Sequence, residues 1–331
     1  QQGTKEEIAS ERKKQTESSL RQEIKDLARV YDLAYPLLLD NQELCPSKKL
    51  FTGMYTSTLE IVHKVYKEAA KNLMNLGNET QIWKLVKNSA AEKAGLMIGD
   101  KIVGINGIKI RKGKNGFDQL AKLLEEITDA NIQIKILRNN ENLTFNIVRE
   151  KICNYNIAYL PNEPAINAYA DGQNIYITRG MYRFADDDSE LSLVMAHELA
   201  HNTMEHIDKK KTNVLLGTAG GFLIDLLLSG AGVNTGGTYS DLGANLGAQA
   251  YSVGFEQEAD YVAMYYLERA GIDSSNVAHF WRRMATEHNN LSINHRTSHP
   301  TTPERFIALE KTFKEIMMKK NNGEVLKPNI E

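Results

Sequence analysis

The sequence predicts an α+β protein, with a mostly helical C-terminal domain that carries a small sheet, a small β-rich domain before it, and helices at the N-terminus. Apolar residues recur at helical spacing towards both ends of the chain, at 20–31 and 306–316. From about residue 82 they alternate in short runs, as strands do. The 331 residues suffice for two domains that each bury a core.

The composition is that of an ordinary globular protein. The formal net charge is −2 with both signs interspersed, which argues against a nucleic-acid partner. The mean hydropathy is −0.42 and 25% of the residues are charged. Because the chain begins with Gln1, we expect a targeting leader to be absent from it. Nothing in the sequence predicts the oligomeric state.

The first 79 residues form an N-terminal helical region in our prediction. Residues 1–19 are charged and nearly without apolar side chains, as in a solvated helix or a frayed arm. An apolar stripe that begins at Leu20 then continues helical periodicity to about residue 71, interrupted at 50–55. Core packing is the expected role of that stripe.

Residues 80–150 form the predicted β-rich domain. It contains an Asn106-Gly107 hairpin signal, a helix at 117–127 and two alternating strands after it. The run Ser-Ala-Ala-x-x-Ala-Gly-Leu-x-x-Gly-Asp-x-Ile at 89–102 resembles PDZ domains attached to bacterial proteases. The resemblance implies capture of extended peptides, with the loop at 76–78 as candidate carboxylate site. A spacer that only positions the next domain is the alternative.

The predicted helical domain, residues 151–320, contains an HExxH array within the apolar run 191–201. On a helix, His197 and His201 lie one turn apart and Glu198 lies about 100° round from His197. Imidazoles at this spacing suit Zn²⁺, and the carboxylate is placed to take a proton from the attacking water. HExxH can arise by chance, but burying two histidines and a glutamate without partners would be costly. The array therefore predicts a zinc site that hydrolyses peptide bonds.

A third ligand is expected from the amphipathic run 255–264. Glu205 would lie about 12 Å along the helix axis from His197, too far to share the ion. Glu256 and Asp260 lie one turn apart on one face, whereas Glu258 points elsewhere. Glu256 can therefore ligate while Asp260 accepts a hydrogen bond from a ligand histidine.

Residues 165–178 read as two strands around an Asp-Gly turn. Small side chains in the first strand would leave an edge on which a substrate backbone can pair. The candidate edge residues are Asn167, Ala168, Tyr169 and Ala170. An ordinary hairpin without a substrate role is the alternative.

Taken together, these motifs resemble the M48 family of zinc metallopeptidases, over about residues 155–315. The signatures are Asn-Ala-Tyr-Ala at 167–170, His-Glu-Leu-Ala-His at 197–201, Glu-Gln-Glu-Ala-Asp at 256–260, and Ser-His-Pro at 298–300 followed by Glu-Arg at 304–305. With the PDZ-like region, the chain is most similar to bacterial envelope members. The resemblance implies one zinc ion per chain, with Glu256 as third ligand.

The resemblance also implies roles near the C-terminus. His299 of the Ser-His-Pro motif would lie near the metal, either steadying the oxyanion or holding the enzyme latent, and His295 is a competitor for that role. Arg305 falls in the first turn of a helix, where the dipole disfavours a cation, so we expect a carboxylate near the site to fix it. Residues 321–331 are predicted to form a flexible tail.

Cys45 and Cys153 flank the PDZ-like region outside any metal-binding spacing. Resemblance to envelope peptidases favours a disulfide between them and a periplasmic or outer-membrane-associated location. Two buried free thiols in a reducing compartment are the alternative.

We therefore predict a zinc endopeptidase that cuts protein or peptide substrates. A PDZ adaptor or chaperone with a latent peptidase domain is the first alternative. A second, an intramembrane M48 enzyme, would need apolar spans of about 20 residues. The longest apolar stretch, 214–228, is short and broken by glycines, so contact with a membrane surface is all that it supports.

Overall fold

The computed structural model describes residues 3–209, 238–287 and 302–330. The chain divides into two compact units, one made of Gln1–Gln42 with Ser47–Asn154 and the other of Glu43–Pro46 with Tyr155–Glu331. Our domain boundaries at residues 79, 150 and 320 stay a prediction, because a compact unit is not the same as a domain that folds alone.

The first unit begins with a long helix, α1 (Lys5–Asp40). Its start is fixed by a capping box, in which Glu7 N–H donates to Thr4 Oγ1 (3.2 Å) and Thr4 N–H donates to the Glu7 carboxylate (2.6 Å). The first half of α1 is largely exposed, and the buried apolar side chains lie in its second half. The charged N-terminal arm is therefore a solvated helix, one of the two forms we expected.

The centre of this unit is an antiparallel sheet with strand order β2-β3-β4-β6-β7, in which a short strand β5 also pairs with β4. Helices α2, α3 and α4 connect its strands, and β1 pairs separately with β8. The strands are β1 (Lys48–Phe51), β2 (Met54–Ser57), β3 (Thr80–Leu85), β4 (Lys101–Ile105), β5 (Ile108–Lys109), β6 (Asn131–Arg138), β7 (Glu141–Val148) and β8 (Glu150–Cys153). The helices are α2 (Lys67–Met74), α3 (Ala90–Lys93) and α4 (Gly113–Glu126).

Alternating isoleucines build the core of this sheet. In β6, Ile132, Ile134 and Ile136 are buried while the residues between them are exposed, as the alternation predicts. Burying each such side chain contributes roughly 1.5–3 kcal/mol. The predicted hairpin is also present, because Asn106 and Gly107 adopt φ of 48° and 78° between β4 and β5.

The strands at 48–57 differ from the prediction. We expected only an interruption between helices there, but β2 is an edge strand of the main sheet, paired with β3, and β1 pairs with β8. The residues of β2 lie between 24 and 31 positions from their partners in β3. Such non-local pairing leaves no local periodicity that a sequence pattern could show.

The second unit contains a three-stranded sheet of order β10-β11-β9. Its strands are β9 (Asn156–Leu160), β10 (Ala168–Ala170) and β11 (Asn174–Thr178). The predicted hairpin is confirmed, since β10 and β11 pair antiparallel and Asp171 and Gly172 lie in the turn between them. β10 lies at the edge of this sheet.

Helices complete the second unit: α5 (Arg179–Phe184), α6 (Asp188–Thr203), α7 (Thr238–Arg269), α8 (Val277–Glu287) and α9 (Pro303–Asn321). The N-cap of α6 is Asp187, whose carboxylate accepts from Glu190 N–H (2.9 Å). Every residue of α6 from 191 to 202 is buried. The α+β class predicted from the sequence is confirmed.

A side chain at the end of α6 connects this helix to the β10–β11 hairpin. Asn202 is buried, and its Oδ1 accepts from Gly172 N–H (2.7 Å) in the turn. Its Nδ2 donates to the carbonyl oxygen of Asn174 (3.1 Å). Both hydrogen-bonding groups of the amide therefore fasten the hairpin to the helix.

The C-terminal segment, which we predict to be a flexible tail, makes several hydrogen bonds to the helices. Lys319 Nζ donates to Lys327 O (2.8 Å), and Asn329 N–H donates to Tyr261 Oη (3.0 Å). Arg269 Nη1 donates to Leu326 O (3.0 Å). These bonds connect the segment to α7 and α9. They join groups that no apolar pattern in the sequence predicts.

Cys45 and Cys153 are both disulfide-bonded. Within the described residues, no helix combines the length and apolar character that crossing a bilayer requires.

Candidate metal centre

Helix α6 carries three polar side chains in its buried stretch. His197, Glu198 and His201 are at most 8% exposed. The one-turn spacing brings His197 Nε2 and His201 Nε2 to 3.1 Å from each other. The negative charge of Glu198 acts on both His201 and Arg305, which places this carboxylate beside the same cluster.

Helix α7 brings a carboxylate to the two imidazoles. Glu256 Oε2 lies 3.3 Å from His197 Nε2, and Glu256 Oε1 lies 3.3 Å from His201 Nε2. His197, His201 and Glu256 each offer one ligand atom within 4.8 Å of the others. Ligand atoms of a tetrahedral zinc ion lie roughly 3.3 Å apart, given bonds of about 2.0–2.1 Å. The donor set and spacing therefore fit a zinc ion.

Asp260 lies one turn after Glu256 and faces the Nδ1 atom of His197. His197 Nδ1 is 3.1 Å from Asp260 Oδ1, so the tautomer with its proton on Nδ1 would place that proton beside the carboxylate and leave Nε2 to bind metal. Burial by itself lowers the pKa of His197, but hydrogen bonds that its imidazole donates to Asp260 and Glu256, with the charges of these acids, raise it to about 10. Metal binding must therefore displace a proton from this imidazole.

Arg305, in the first turn of α9, is buried against both acids. Its Nε and Nη2 donate to the two oxygens of Asp260 (2.7 and 2.9 Å), and Nη1 lies 3.2 Å from Glu256 Oε2. Burial would raise the pKa of Asp260, but the charge of Arg305 and the hydrogen bonds from His197 and Arg305 hold it below its ordinary value. The carboxylate that we expected to fix Arg305 is that of Asp260.

Two residues that lie beside His197 and His201 were not predicted from the sequence. Trp281 of α8 packs edge-on against His197 (ring centroids 4.9 Å apart) and beneath Arg305 (5.1 Å). His206 lies beside His201, with the two Nδ1 atoms 3.0 Å apart. Burial and the charge of His201 lower the pKa of His206 to about 4. His206 carried a signal, a third histidine five residues after HExxH, whereas Trp281 carried none.

The remaining predicted site residues lie in two places. Asn167 precedes β10, and Ala168, Tyr169 and Ala170 form it, at the sheet edge. Ala168 is buried, while Tyr169 is 39% exposed and stacks on Tyr176. His299 and its competitor at 295 lie outside the described residues, as does the apolar stretch 214–228.

Helix α6 supplies two imidazoles with a carboxylate between them in sequence, and α7 supplies a glutamate. This arrangement defines the class as a metallopeptidase of the HExxH type. Residues 128–313 match the model of peptidase family M48, and residues 84–138 match that of the PDZ domain. The chain belongs to peptidase family M48. This confirms the metalloendopeptidase class and the PDZ domain that the sequence predicts.

The chain is similar to beta-barrel assembly-enhancing proteases of Yersinia pestis (31% identical over 138 residues) and Escherichia coli strain K12 (30% over 135). These matches cover 39% and 38% of this chain and 28% and 27% of those relatives. A mitochondrial metalloendopeptidase OMA1 of Schizosaccharomyces pombe is 23% identical over 166 residues, 49% of this chain and 48% of the relative. The chain thus spans less than half the length of these curated relatives.

Among solved structures, the HtrA3 PDZ domain bound to a phage-derived ligand matches 32% of this chain and 91% of that chain, at 20% identity and a TM-score of 0.24.

Proposed function

We propose that this protein is a zinc-dependent endopeptidase that hydrolyses peptide bonds in protein substrates. The observation that carries the proposal is the convergence of His197, His201 and Glu256, buried and spaced for one tetrahedral ion, beside Glu198. A bound zinc ion would polarise the substrate carbonyl and make a water molecule acidic at neutral pH. His197, His201 and Glu256 would hold it.

Glu198 would act as the general base and then as the acid. Its carboxylate takes a proton from the water as the water oxygen attacks the carbonyl carbon. Glu198 then gives that proton to the amide nitrogen as the carbon–nitrogen bond breaks, which leaves a carboxylate and a free amine. The buried position of Glu198 excludes bulk water from this proton path.

We propose β10 as the strand on which a substrate backbone pairs. The strand lies at the sheet edge and packs against α6, so an added strand would run beside the metal ligands. The backbone of Ala168, Tyr169 and Ala170 would supply the pairing groups, because the N–H and the carbonyl oxygen of Asn167 already bond to Thr178 (3.2 Å each). The small side chains at 168 and 170 leave space for the incoming chain.

The PDZ domain would capture or position protein substrates. The loop at 76–78, our candidate carboxylate site, uses its carbonyl oxygens internally: Gly77 O accepts from Leu59 N–H (2.8 Å), and Asn78 O accepts from Gly113 N–H (2.5 Å). These bonds fix the loop through its carbonyl oxygens, and its N–H groups would be the donors to a substrate carboxylate. Capture of a peptide C-terminus and positioning of the peptidase domain are the two roles that we propose for the PDZ domain.

We propose a role in protein quality control in the bacterial envelope, with the periplasm or the outer membrane as location. The names of the two beta-barrel assembly-enhancing proteases support this, and so does the disulfide-bonded state of Cys45 and Cys153. Intact-mass analysis of non-reduced protein with thiol alkylation tests the disulfide: no alkylation is expected in the folded protein, and two alkylated cysteines would argue for a reducing compartment.

His299 would act at the metal, in catalysis or in latency, as the family resemblance implies. His299→Ala is expected to change turnover far more than folding, upwards if latency dominates and downwards if catalysis does. Unchanged kinetics, with a large effect of His295→Ala instead, would move the role to His295.

The decisive experiment combines zinc stoichiometry with cleavage of casein by wild-type protein and by Glu198→Gln. We expect one zinc per chain in both, and turnover lowered by roughly 10²–10⁴ in the variant. Wild-type turnover in Glu198→Gln would remove Glu198 from the mechanism. Stoichiometric zinc without cleavage by the wild type would favour the alternative function, a PDZ adaptor or chaperone with a latent peptidase domain.

A further inference from the structure

The chain turns sharply directly after the HExxH helix. Helix α6 ends at Thr203, and Glu205 then adopts φ of 56°, a left-handed conformation that a glutamate seldom takes. Residues 206–209 are helical again. Had α6 continued, His206 would lie about 7.5 Å along the axis from His201 and roughly 140° round it. The turn instead aims the His206 ring back at His201.

His206 makes three contacts that together fix its ring. Its Nδ1 lies 3.0 Å from His201 Nδ1, and its Nε2 lies 3.0 Å from Glu258 Oε2. Its face stacks on Phe255, with ring centroids 4.5 Å apart and planes 16° apart. The ring is 3% exposed, so these partners replace water on both nitrogens.

The proton positions follow from the ligand role of His201. Its Nε2 faces His197 and Glu256, so in the ligating tautomer the proton of His201 is on Nδ1. That Nδ1–H donates to His206 Nδ1, which must accept. The proton of His206 is then on Nε2 and donates to the Glu258 carboxylate. Each group in this line thus sets the tautomer of the next.

We infer that His206 and Glu258 are positioning residues for the second histidine ligand, holding the tautomer and the orientation of His201. The inference rests on the proposed function, because it requires His201 to bind zinc through Nε2. In this role neither residue would itself bind the ion or the substrate. Their effect is on how firmly the protein binds the metal.

Glu258 separates this role from simple packing. Its side chain is 31% exposed, against 3% for His206, so truncating it should disturb packing less than truncating His206. The neighbouring Gln257 is half-buried on the same helix and has no place in the line from His201, which makes Gln257→Ala a matched control. Glu258→Gln is the conservative variant, because its amide oxygen can still accept from His206 Nε2–H.

The experiment measures zinc dissociation constants by competition with a chromophoric chelator, and melting temperatures of the metal-free proteins. For Glu258→Ala we expect zinc binding about 10–100-fold weaker than wild type, with an unchanged metal-free melting temperature. Glu258→Gln should lie between Glu258→Ala and wild type, and Gln257→Ala should match wild type. His206→Ala should weaken zinc binding at least as much, and adding Glu258→Ala to it should weaken binding no further.

Zinc binding by Glu258→Ala within twofold of wild type would overturn the inference, whatever His206→Ala does to folding. So would an equal loss in Gln257→Ala, or a lower metal-free melting temperature with zinc affinity unchanged, which is the signature of packing alone. The wild type gives the separate test of the proposed function. If it binds zinc and cleaves casein while Glu258→Ala matches it, only the positioning role fails.

Discussion

The two histidines that we propose as ligands come from one turn of one helix, yet their surroundings differ. His197 is supported by ionised groups, Asp260 and behind it the fully buried Arg305. His201 is supported by a second imidazole, His206, which leads to the partly exposed Glu258. The first support is a buried ion pair, and the second is a hydrogen-bonded line that ends near solvent.

Both supports would hold the proton of an imidazole on Nδ1, but they do so with different groups. Removing a partner should therefore lower the stability of the protein by different amounts on the two sides. A buried ion pair is strongly destabilised when one partner is removed, because the other is left charged and unpaired. A line that ends at the surface loses less, because water can replace the missing group. Substitutions on the His197 side should therefore affect both stability and metal binding, and those on the His201 side mainly metal binding.

The largest effect is expected from Glu256→Ala. It removes the carboxylate that lies 3.3 Å from both imidazoles, one of the three proposed ligands, so stoichiometric zinc should be lost. Glu258→Ala should retain zinc with weaker affinity. Metal analysis of both purified variants after dialysis checks this. If Glu258→Ala lost the metal and Glu256→Ala kept it, the ligand assignment would be reversed.

Arg305→Met is expected to be next. It leaves the Asp260 and Glu256 carboxylates buried without their cation, which should cost about 3–5 kcal/mol of unfolding free energy in the metal-free protein. Urea denaturation measures this. Arg282→Met is the control, because its ion pair with Glu310 is half-exposed and should contribute about 0–1 kcal/mol. A loss of under about 1 kcal/mol in Arg305→Met would contradict the buried-pair interpretation.

Asp260→Asn should have a smaller effect on the metal than loss of a ligand. The amide oxygen can still accept from His197 Nδ1–H, but the charge that holds the imidazole is gone, so zinc binding should weaken about 10–100-fold. Chelator competition measures it beside Glu258→Gln. Equal stability losses in the two variants would contradict the contrast between the supports, since only Asp260 pairs with a buried arginine.

The last prediction concerns how the unfolding free energy of the metal-free protein depends on pH. The change per pH unit is the smallest of the expected effects. The pKa of His197 is raised from 6.5 to about 10 in the folded metal-free protein, so between those values the folded state binds more protons than the unfolded state. Its contribution to stability is complete below pH 6.5 and decreases as pH rises towards 10, by at most about 1.4 kcal/mol per pH unit.

Melting temperatures measured between pH 6.5 and 9 in chelator, and again with zinc, check this. With zinc bound, the ligand nitrogen carries no proton and the decrease should vanish. A metal-free protein whose stability rose over this range would show that His197 is neutral there.

The sequence predicted the parts of this centre that depend on one helix at a time. His197, Glu198 and His201 share a helix, and so do Glu256 and Asp260, so helical geometry alone places them. The metallopeptidase class followed from these motifs. The second support of His201 was not predictable in this way, because it depends on the left-handed turn at Glu205, a conformation that a glutamate does not announce.

Contacts between elements far apart in sequence were not predicted either, because a local pattern does not show which distant residue a side chain meets. Trp281 reaches His197 from α8, and β2 joins the sheet of the first unit through partners more than twenty residues away. Glu258 was judged to point away from the ligands, which is correct for its own helix face. What that judgement omitted is the histidine at 206 that the face meets.

The amide of Asn202 has a consequence for where a substrate could be cut. Because it fastens the β10–β11 turn to the helix that carries Glu198, the strand and the general-base candidate move together. A peptide added to β10 can shift only in steps of one residue, about 3.3 Å, and each single step turns its side chains to the opposite face. Binding positions that keep the same side chains on the same face therefore differ by two residues. Cleavage sites along an extended substrate should accordingly lie two residues apart, and the side chains on that face should decide which site is cut.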